Sequence, residues 1–421
     1  MRFTMIAIGS TGDVRPIMLL GQELQRRGHK VKLTTFETFR DTALAAGLDF
    51  APISGDVNKF MANIMKPGVN GFNYLSQLES SLKDIADVLL RDITTACEDA
   101  EAMVCTFFGS MMYSVAEKYH IPCIQTQYYP MDYNGNVPIS SAPLLKLGKA
   151  WNKATYRIGY LMISTLEKRY LSQWRKENGM KARKVKPHPD YLVHGHTVPV
   201  LYALSPLLMP RPVNWGEHIH MTGFWQENDS KEYTPPAELA AFLQKGPPPV
   251  YVGFGSMTSG DMGETLEIVL EGIRHAGVRA VLLRGWGGQI DLKDDKNIYV
   301  GDYIPHDWLF ENVQAVVHHG GAGTTAAGLR AGKPTLIVPF GGDQPFWGSR
   351  IRALGCGPKP IRRTSLTGEK LAEALSELVS NGAYKVAANE LKDRLKRETG
   401  TVTAADIVEN EISKWLATPD T

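Results

Sequence analysis

The most constraining feature of this sequence is the stretch from Val317 to Trp347, which places a glycine-rich turn between two short apolar runs. It reads VHHGGAGTTAAGLRAGKPTLIVPFGGDQPFW. The run at 315–317 predicts a strand, a helix begins near Ala322, and the run at 334–338 predicts a second strand. Because parallel strands end at the same edge of a sheet, the glycine turn and the polar loop after the second strand should lie side by side.

The glycine turn is suited to hold an anion. Gly320, Gly321 and Gly323 lack the Cβ atom that would keep an anion away from the backbone amides. The start of the following helix carries a partial positive charge that is worth ~0.3–1 kcal/mol to an exposed anion. A phosphate is the natural ligand, although a turn of this kind can also serve only the close packing of helix on sheet.

Polar side chains next to the turn favour the binding site over the packing role. Donors of hydrogen bonds are supplied beside the glycines by His319, Thr324 and Thr325. On the next loop, Asp343 and Gln344 offer an acceptor and an amide, which suit the hydroxyl groups of a sugar.

Length and composition limit the class of protein. With 421 residues, the chain predicts two domains of about 150–200 residues each. Hydrophobic residues make up 43% and charged residues 21%, which is typical of a globular chain. A net charge of +2 argues against a dedicated nucleic-acid binder, so a phosphate site must depend on local dipoles.

The cysteines and the apolar runs indicate a cytoplasmic protein. The four cysteines form no C-x-x-C pair and are expected to be reduced, with neither a disulfide framework nor a metal site. The apolar stretch from Met1 to Ile8 is too short for a signal peptide. No run approaches the ~20 apolar residues of a membrane helix. The basic segment 167–186 fits either a contact with an anionic membrane surface or a solvated helix followed by a basic loop, and we favour the second.

The N-terminal half opens with another strand, turn and helix. Residues 3–8 predict a strand, and the turn GSTGD at 9–13 leads into a helix that ends near Gly28. This turn lacks the G-x-G-x-x-G pattern of a dinucleotide site. Asp13 fits the N-cap of the helix, a position that favours Asp. It also lies where ligands bind in such sheets, outside the carboxyl end of the first strand, which makes it a candidate catalytic residue.

Methionine and aromatic residues cluster after three predicted strands of this half. Any one of them can be a core residue, but three clusters at similar positions predict an apolar pocket for a large ligand, because methionine adapts to varied shapes. We select as candidate acceptor-binding residues Phe72, Phe107, Met112, Tyr128 and Tyr129.

Shifts in composition predict the domain boundaries. We expect an N-terminal acceptor-binding domain at 1–210, a proline-rich linker at 211–240 and a C-terminal nucleotide-sugar-binding domain at 241–400. A C-terminal helix at 401–421 can pack back on the N-terminal domain.

With these pieces assembled, the chain resembles the UDP-glycosyltransferases of the GT-B fold. Within them it is most similar to sterol glucosyltransferases and to bacterial enzymes that glycosylate antibiotics and other natural products. The matching motifs are GSTGDVRP at 9–16, GHKVKL at 28–33, GFGSM at 253–257, PHDWLF at 305–310 and the block 318–348. The resemblance implies an α/β fold with two Rossmann-like, doubly wound parallel-sheet domains that face a central cleft.

The resemblance also implies roles for single residues. Asp13 would take the proton of the acceptor hydroxyl. The donor would be bound by the residues that match the family motifs. Tyr303 and Ile304 would lie at the uracil, and Asp343 and Gln344 at the sugar hydroxyls. The diphosphate would be bound by His319, Gly321, Gly323 and Thr324, with Ser256 across from them, and Ser10 and Gly12 would also shape the Asp13 loop. Plant members carry a glutamate for the ribose where this chain has Ala327, and a histidine as base where it has Asp13.

The implied reaction is an inverting, metal-independent transfer of a hexose, glucose by resemblance, from a UDP-sugar to a hydroxyl of a lipophilic acceptor. The UDP-sugar is a co-substrate, no cofactor is expected, and the sequence has no Asp-x-Asp motif for a metal. The expected partners are the donor and a hydrophobic small-molecule acceptor, with no nucleic acid and at most peripheral membrane contact. Two alternatives are a UDP-sugar epimerase of the same shape and a catalytically silent relative that binds a lipid or nucleotide.

Overall fold

The computed structural model describes residues 1–56, 74–106, 109–139, 142, 147–189, 191–226, 233–254, 262–283 and 295–418. The chain forms two compact units. Unit 1 contains the described residues up to Gln226 and those from Thr399 onward, and unit 2 contains the described residues from Tyr233 to Glu398. The change of unit falls within the proline-rich segment for which the sequence predicts a linker.

Unit 1 is organised around a parallel sheet, which has seven strands among the described residues and the order β3-β2-β1-β4-β5-β8-β9. The strands are β1 Arg2–Ile6, β2 Lys30–Phe36, β3 Asp49–Ile53, β4 Ala102–Cys105, β5 Cys123–Gln127, β8 Val200–Tyr202 and β9 Ile219–Met221. A short antiparallel pair is formed by β6 Leu192–Val193 and β7 His196–Thr197. The central strands β1, β4 and β5 are almost entirely buried, because both faces of a parallel sheet are covered.

Unit 2 contains a second parallel sheet, with five strands in the described part and the order β12-β11-β10-β13-β14. The strands are β10 Val250–Gly253, β11 Ala280–Leu283, β12 Ile298–Gly301, β13 Ala315–His318 and β14 Thr335–Ile337. Numbered within its own unit, each sheet begins with the order 3-2-1-4-5, which is that of the Rossmann fold. The two predicted doubly wound α/β units are therefore confirmed.

Helices connect the parallel strands, as such crossovers require. In unit 1 they are α1 Thr11–Arg26, α2 Arg40–Ala45, α3 Tyr74–Ala96, α4 Gly109–Tyr119, α5 Gly148–Glu177 and, from the C-terminus, α13 Gly400–Ala417. In unit 2 they are α6 Ala237–Gln244, α7 Met262–Ala276, α8 His306–Glu311, α9 Ala322–Arg330, α10 Gln344–Ala353, α11 Gly368–Ser380 and α12 Gly382–Leu395. None of the described helices combines the length and the apolar character that crossing a bilayer requires.

Helix α13 returns to unit 1 and packs against α1. Arg27, which follows α1, donates hydrogen bonds to Asp406 and Glu409, each at 2.7 Å. His29 lies 2.9 Å from the other carboxylate oxygen of Glu409. Small and branched residues of α13, among them Ala404 and Val408, are buried beneath these ion pairs.

One element of unit 1 differs from the sequence prediction. The cluster of methionine and aromatic residues after β4, which the sequence assigns to a ligand pocket, lies partly in the helix α4, and Met111, Met112 and Tyr113 are buried in the core of unit 1. The basic segment 167–186 is the end of helix α5 followed by a loop, as the favoured prediction has it, although the helix begins much earlier.

Candidate active site

The switch point of a doubly wound sheet is where ligands bind, because neighbouring crossovers there leave the sheet toward opposite faces. In unit 2 this point lies between β10 and β13, where Gly253 pairs with His318. The glycine turn 319–321 follows β13 directly and leads into α9. The most constraining stretch of the sequence therefore occupies the ligand-binding position of its sheet.

His318 and Gly320 fix the shape of this turn. Gly320 has a φ of +98°, and a Cβ atom there would lie 2.7 Å from Ile337 and 3.1 Å from the carbonyl oxygen of Gln344. Its amide donates to Nδ1 of the fully buried His318 at 3.0 Å. The close approach to Gln344 also shows that the turn after β13 and the loop after β14 are adjacent, as the sequence predicts.

His319 lies over the start of α9. A Cβ atom at position 321 would be 2.6 Å from its Nε2, so glycine at this position allows the imidazole to approach the backbone. Burial lowers the pKa of His319 to about 4, so the ring is neutral near pH 7. Its Nδ1 has no hydrogen-bond partner among the described residues. The ring is therefore available as a neutral hydrogen-bonding group and not as a cation.

The first turn of α9 presents amides and one of the two predicted hydroxyls. Gly321 is the N-cap of the helix, Gly323 is exposed, and Thr324 is partly exposed. The prediction that Thr325 offers its hydroxyl to a ligand is wrong, because this buried group donates to the carbonyl oxygen of Gly321 at 2.8 Å. The helix start thus supplies the dipole and amides that an anion needs.

Asp343 precedes α10 and is oriented by a tryptophan. Trp347, fully buried, donates its indole N–H to Oδ2 of Asp343 at 2.6 Å. Burial raises the pKa of Asp343 to about 6, while the bond from Trp347 acts in the opposite direction. At neutral pH the carboxyl is therefore mostly ionised and can accept hydrogen bonds from hydroxyl groups.

Gln344 has a structural role that the sequence did not indicate. Its Oε1 accepts hydrogen bonds from the amides of Phe340 at 2.7 Å and Gly341 at 3.2 Å. The side chain is buried. Its carbonyl oxygen therefore holds the loop after β14 next to Asp343.

Tyr303 and Ile304 lie in the loop between β12 and α8, at the same edge of the sheet as His319. Tyr303 is 69% exposed and presents an aromatic ring. Ile304 is buried in a core cluster with Leu309 and Phe310. Only the backbone of Ile304, together with the ring of Tyr303, is thus placed to contact a base.

In unit 1, the switch point lies between β1 and β4, and the loop Gly9–Ser10 with the first turn of α1 occupies it. The sequence predicts Asp13 as the N-cap of α1, but in the structure it is the third residue of this helix. Ser10 is the N-cap, and its amide and hydroxyl donate to Oδ2 of Asp13 at 2.7 and 3.0 Å. Gly12 is exposed in this turn. The reciprocal contact is that of a capping box, which holds the carboxylate in place.

Gly9 and Tyr128 complete this arrangement. Gly9 has a φ of +140°, and a Cβ atom there would lie 2.2 Å from Oδ2 of Asp13, so no larger residue fits. Tyr128, after β5, donates its hydroxyl to the backbone oxygen of Asp13 at 2.7 Å. Tyr128 is buried, and it supports the Asp13 loop from beneath.

The remaining predicted acceptor residues have different positions. The prediction for Met112 is not supported, because its side chain is fully buried in the core between α4 and the sheet. Tyr129 is partly exposed beside Tyr128. Phe72, Phe107 and the predicted donor residue Ser256 lie outside the described residues. Among the residues that the structure describes, no three His, Cys, Asp or Glu side chains are grouped as metal ligands would be.

Comparisons with known proteins agree with this architecture. Residues 3–133 match the Glycosyltransferase family 28 N-terminal domain. Residues 292–409 match the Erythromycin biosynthesis protein CIII-like, C-terminal domain. Among the described residues, the first match lies in unit 1, and the second covers part of unit 2 and the first part of α13. They contain the loops of Asp13 and His319.

Relatives that match nearly the whole of this chain show its family. A sterol 3-beta-glucosyltransferase of Arabidopsis thaliana is 33% identical over the whole of this chain, which covers 69% of that protein. This chain belongs to the sterol 3-beta-glucosyltransferase family. A second Arabidopsis thaliana member is 35% identical over 96% of the chain, and a Pichia angusta member is 33% identical over 98%. The chain spans 64% and 33% of the lengths of these two members.

Solved structures show that the family fold is shared with glycosyltransferases of antibiotic producers. The glycosyltransferase of kitacinnamycin has a TM-score of 0.71 at 18% identity, and the match covers 98% of this chain and 99% of that one. A Streptomyces glycosyltransferase, solved complexed with thymidine diphosphate, has a TM-score of 0.66 at 17% identity and covers 97% and 99%. The predicted resemblance to GT-B glycosyltransferases is confirmed.

The sequence prediction gives no role to two supporting residues of the site. The predicted strand ends at Val317, whereas β13 includes His318, whose side chain is buried. Adjacent side chains on a strand face opposite sides, so the pair of histidines indicates that one of them is directed into the core. Trp347 was treated as the end of the motif, although its four-residue spacing from Asp343 places it over that carboxylate on a helix.

Proposed function

We propose that this chain transfers glucose from UDP-glucose to the hydroxyl group of a sterol and forms a β-glycoside. The observation that carries the proposal is the near full-length match to sterol 3-beta-glucosyltransferases, which includes the capped Asp13 loop and the His319 turn. The names of these relatives identify both the acceptor class and the sugar. The solved glycosyltransferase structures of antibiotic producers share only the fold with this chain. Related lipophilic alcohols therefore remain possible acceptors.

The base in this proposal is Asp13. Ser10 holds Oδ2 through its amide and hydroxyl, and Gly9 leaves room for this contact. The carboxylate would take the proton of the acceptor hydroxyl as its oxygen attacks the anomeric carbon, which typically contributes ~10²–10⁴-fold to the rate. The acceptor oxygen would attack the anomeric carbon from the side opposite to the departing diphosphate. This attack inverts the configuration of an α-linked donor and gives a β-glycoside.

The leaving group is stabilised by unit 2. Negative charge develops on the diphosphate as the glycosidic bond breaks, and the amides at the start of α9 are directed toward such a charge. Neutral His319 would donate one hydrogen bond to the same phosphate. This set of donors supports a reaction in which no metal is needed, because the helix dipole and the imidazole do the work that a cation does in other transferases.

The donor would lie along the C-terminal edge of the second sheet. The loops of Tyr303 and His319 follow β12 and β13, which are three strand spacings apart, or about 14 Å. Uracil at Tyr303 and diphosphate at His319 are consistent with a nucleotide laid along this edge. Asp343, ionised at neutral pH and oriented by Trp347, would accept hydrogen bonds from the sugar hydroxyls.

We place the reaction in the cytoplasm. The four cysteines are free thiols, and Cys105 and Cys123 lie with their sulfur atoms 3.9 Å apart on neighbouring strands without a disulfide. Free, buried thiols at this separation are consistent with a reducing compartment.

The proposal is tested by incubating the protein with UDP-glucose and a panel of alcohols, and by mass spectrometry of the products. The panel contains a 3β-hydroxysterol, its 3-keto analogue without the hydroxyl, and a short water-soluble alcohol. We expect a glucoside of the sterol and none of the ketone. A changed sugar without an acceptor product would indicate the epimerase, and neither product despite UDP binding would indicate a silent relative.

A further inference from the structure

Helix α5 exposes large apolar side chains where a helix on a globular protein normally exposes polar ones. Leu147 at its N-cap is 63% exposed, Ile158 is 55% exposed and Leu161 is 47% exposed, and Met162 beside them is also exposed. The opposite face, which includes Thr155 and Tyr156, is buried against unit 1. The exposed residues extend from position 147 to position 162, or about 22 Å along the helix.

The charges along this stripe all have one sign. From Gly148 to Leu166, the helix carries Lys149, Lys153 and Arg157 and no acidic residue. The three cations are exposed and follow each other at four-residue spacing, so they form one row next to the apolar residues. Arg169 is not part of this row, because it pairs with Glu79.

A basic loop continues the same surface. Ser164 of α5 donates its hydroxyl to the carbonyl oxygen of Lys186 at 3.0 Å and accepts from its amide at 3.3 Å, which holds the loop 181–186 against the helix. This loop borders a surface cavity of about 280 Å³, which is lined among others by Arg183, Lys184 and Leu192.

The cavity is positively charged overall. Glu117 is the acidic residue in its lining, and its carboxylate accepts hydrogen bonds from Arg175 at 2.5 Å and from Arg183 at 2.6 Å. Two arginines thus compensate this one carboxylate, and Lys184 and Lys186 add further positive charge to the rim.

We propose that this docking face, formed by the apolar stripe of α5, its row of cations and the loop 181–186, binds the surface of a bilayer that contains anionic lipids. An apolar stripe flanked only by cations is the pattern of a helix that lies in the membrane interface. The apolar side chains enter the acyl boundary, and the lysines and arginines reach the lipid phosphates.

Charge complementarity selects this partner over a second copy of the chain. Two copies of the docking face would bring two rows of cations together, and like charges repel in such an interface. The inference goes beyond the proposed function and does not depend on it, because lipid binding is measured without a donor or an acceptor.

The experiment is flotation of the full chain with vesicles of phosphatidylcholine alone and of phosphatidylcholine mixed with phosphatidylserine. We expect binding to the mixed vesicles only, with an affinity that falls as salt is added. Lys153→Gln with Arg157→Gln should weaken binding roughly 20-fold or more, since each cation contributes about fivefold. Ile158→Ser with Leu161→Ser should weaken it about tenfold.

Matched control variants lie on α12 in unit 2, where Lys385→Gln and Val386→Ser change one exposed cation and one exposed apolar residue. Both should bind the mixed vesicles as the wild type does. Equal binding by the α5 variants and the wild type would overturn the proposal. So would a lack of binding to anionic vesicles, or a concentration-dependent dimer that the α5 substitutions dissociate.

Discussion

At the scale of single residues, the two halves of the proposed chemistry are held in different ways. Asp13 is fixed by donors from its own turn, Ser10 and the backbone, and by the room that Gly9 leaves. His319 is fixed by burial and by the glycine beneath its ring. The first arrangement keeps a carboxylate in place, and the second keeps an imidazole neutral.

Replacing Asp13 with asparagine separates its two roles. The amide oxygen can still accept the hydrogen bonds from Ser10, so α1 keeps its cap, but the residue can no longer take a proton. We expect the initial rate of transfer to fall ~10²–10⁴-fold, with the Kd for UDP unchanged. Asp41→Asn, an exposed change on α2, is the control for folding and should keep the full rate. Full activity of Asp13→Asn would show that another group is the base.

The neutrality of His319 predicts how its contribution depends on pH. Because the pKa is about 4, the fraction of charged imidazole does not change appreciably between about pH 5.5 and about pH 7.5. The size of the contribution is seen in His319→Ala, which should lower kcat ~10²–10³-fold because one hydrogen-bond donor to the developing negative charge is lost. The ratio of the UDP dissociation constants of His319→Gln and wild type, measured by calorimetry, should be the same at both pH values. A ratio that grows as the pH falls would mean that the ring binds as a cation.

At the scale of elements, the interface of α4 and α5 carries a buried carboxyl. Glu167 of α5 is buried against Ser110 at the start of α4, and burial raises its pKa from 4.5 to about 7 despite the hydrogen bonds from Ser110. The unfolded chain therefore gives up this proton near pH 4.5 and the folded chain near pH 7. The folded state loses stability as the pH rises through this window and does not regain it above.

Glu167→Gln should remove this loss. The amide has nearly the same shape and no charge, so the variant should gain stability over the wild type at about pH 8 and gain little at about pH 5. The measurement is the free energy of unfolding in urea at both pH values. Glu177→Gln, an exposed change on the same helix, should show no pH-dependent difference. A gain of equal size at both pH values would show that the charge of Glu167 is not the cause.

At the scale of the whole molecule, the last helix stabilises the first unit. Arg27 donates hydrogen bonds to Asp406, Glu409 and the carbonyl oxygen of Val402, and so links α1 to α13 across most of the sequence. The sequence predicts a C-terminal helix that can pack in this way but not the ion pairs that hold it.

Arg27→Met should loosen α13 while unit 2 is unaffected. The loss of these charged hydrogen bonds should reduce the protection of residues 400–417 by about 1–3 kcal/mol in hydrogen exchange. Protection of 237–398 should not change. Arg352→Met, an exposed change in unit 2, is the control. Equal loss of protection in both units would contradict the assignment of α13 to unit 1.

Sequence patterns predicted the sheets better than the details of the site. Apolar runs next to glycine turns predict the strands at 3–8, 315–317 and 334–338, which are observed as β1, β13 and β14. The helix α4 was not predicted because its central residues 111–116 are all buried and all but one of them are apolar, which weakens the helical period. Buried contacts such as Trp347 to Asp343 and Gln344 to Gly341 depend on packing, which a local pattern cannot show.

The central claim is that unit 2 holds the donor by its diphosphate at the turn after β13. A crystal structure of the protein grown with UDP tests it most directly. The account predicts the diphosphate within hydrogen-bonding distance of His319 and the amides at the start of α9, with the uracil at Tyr303. UDP bound elsewhere, with His319 and Gly321 making no contact to it, would contradict the account.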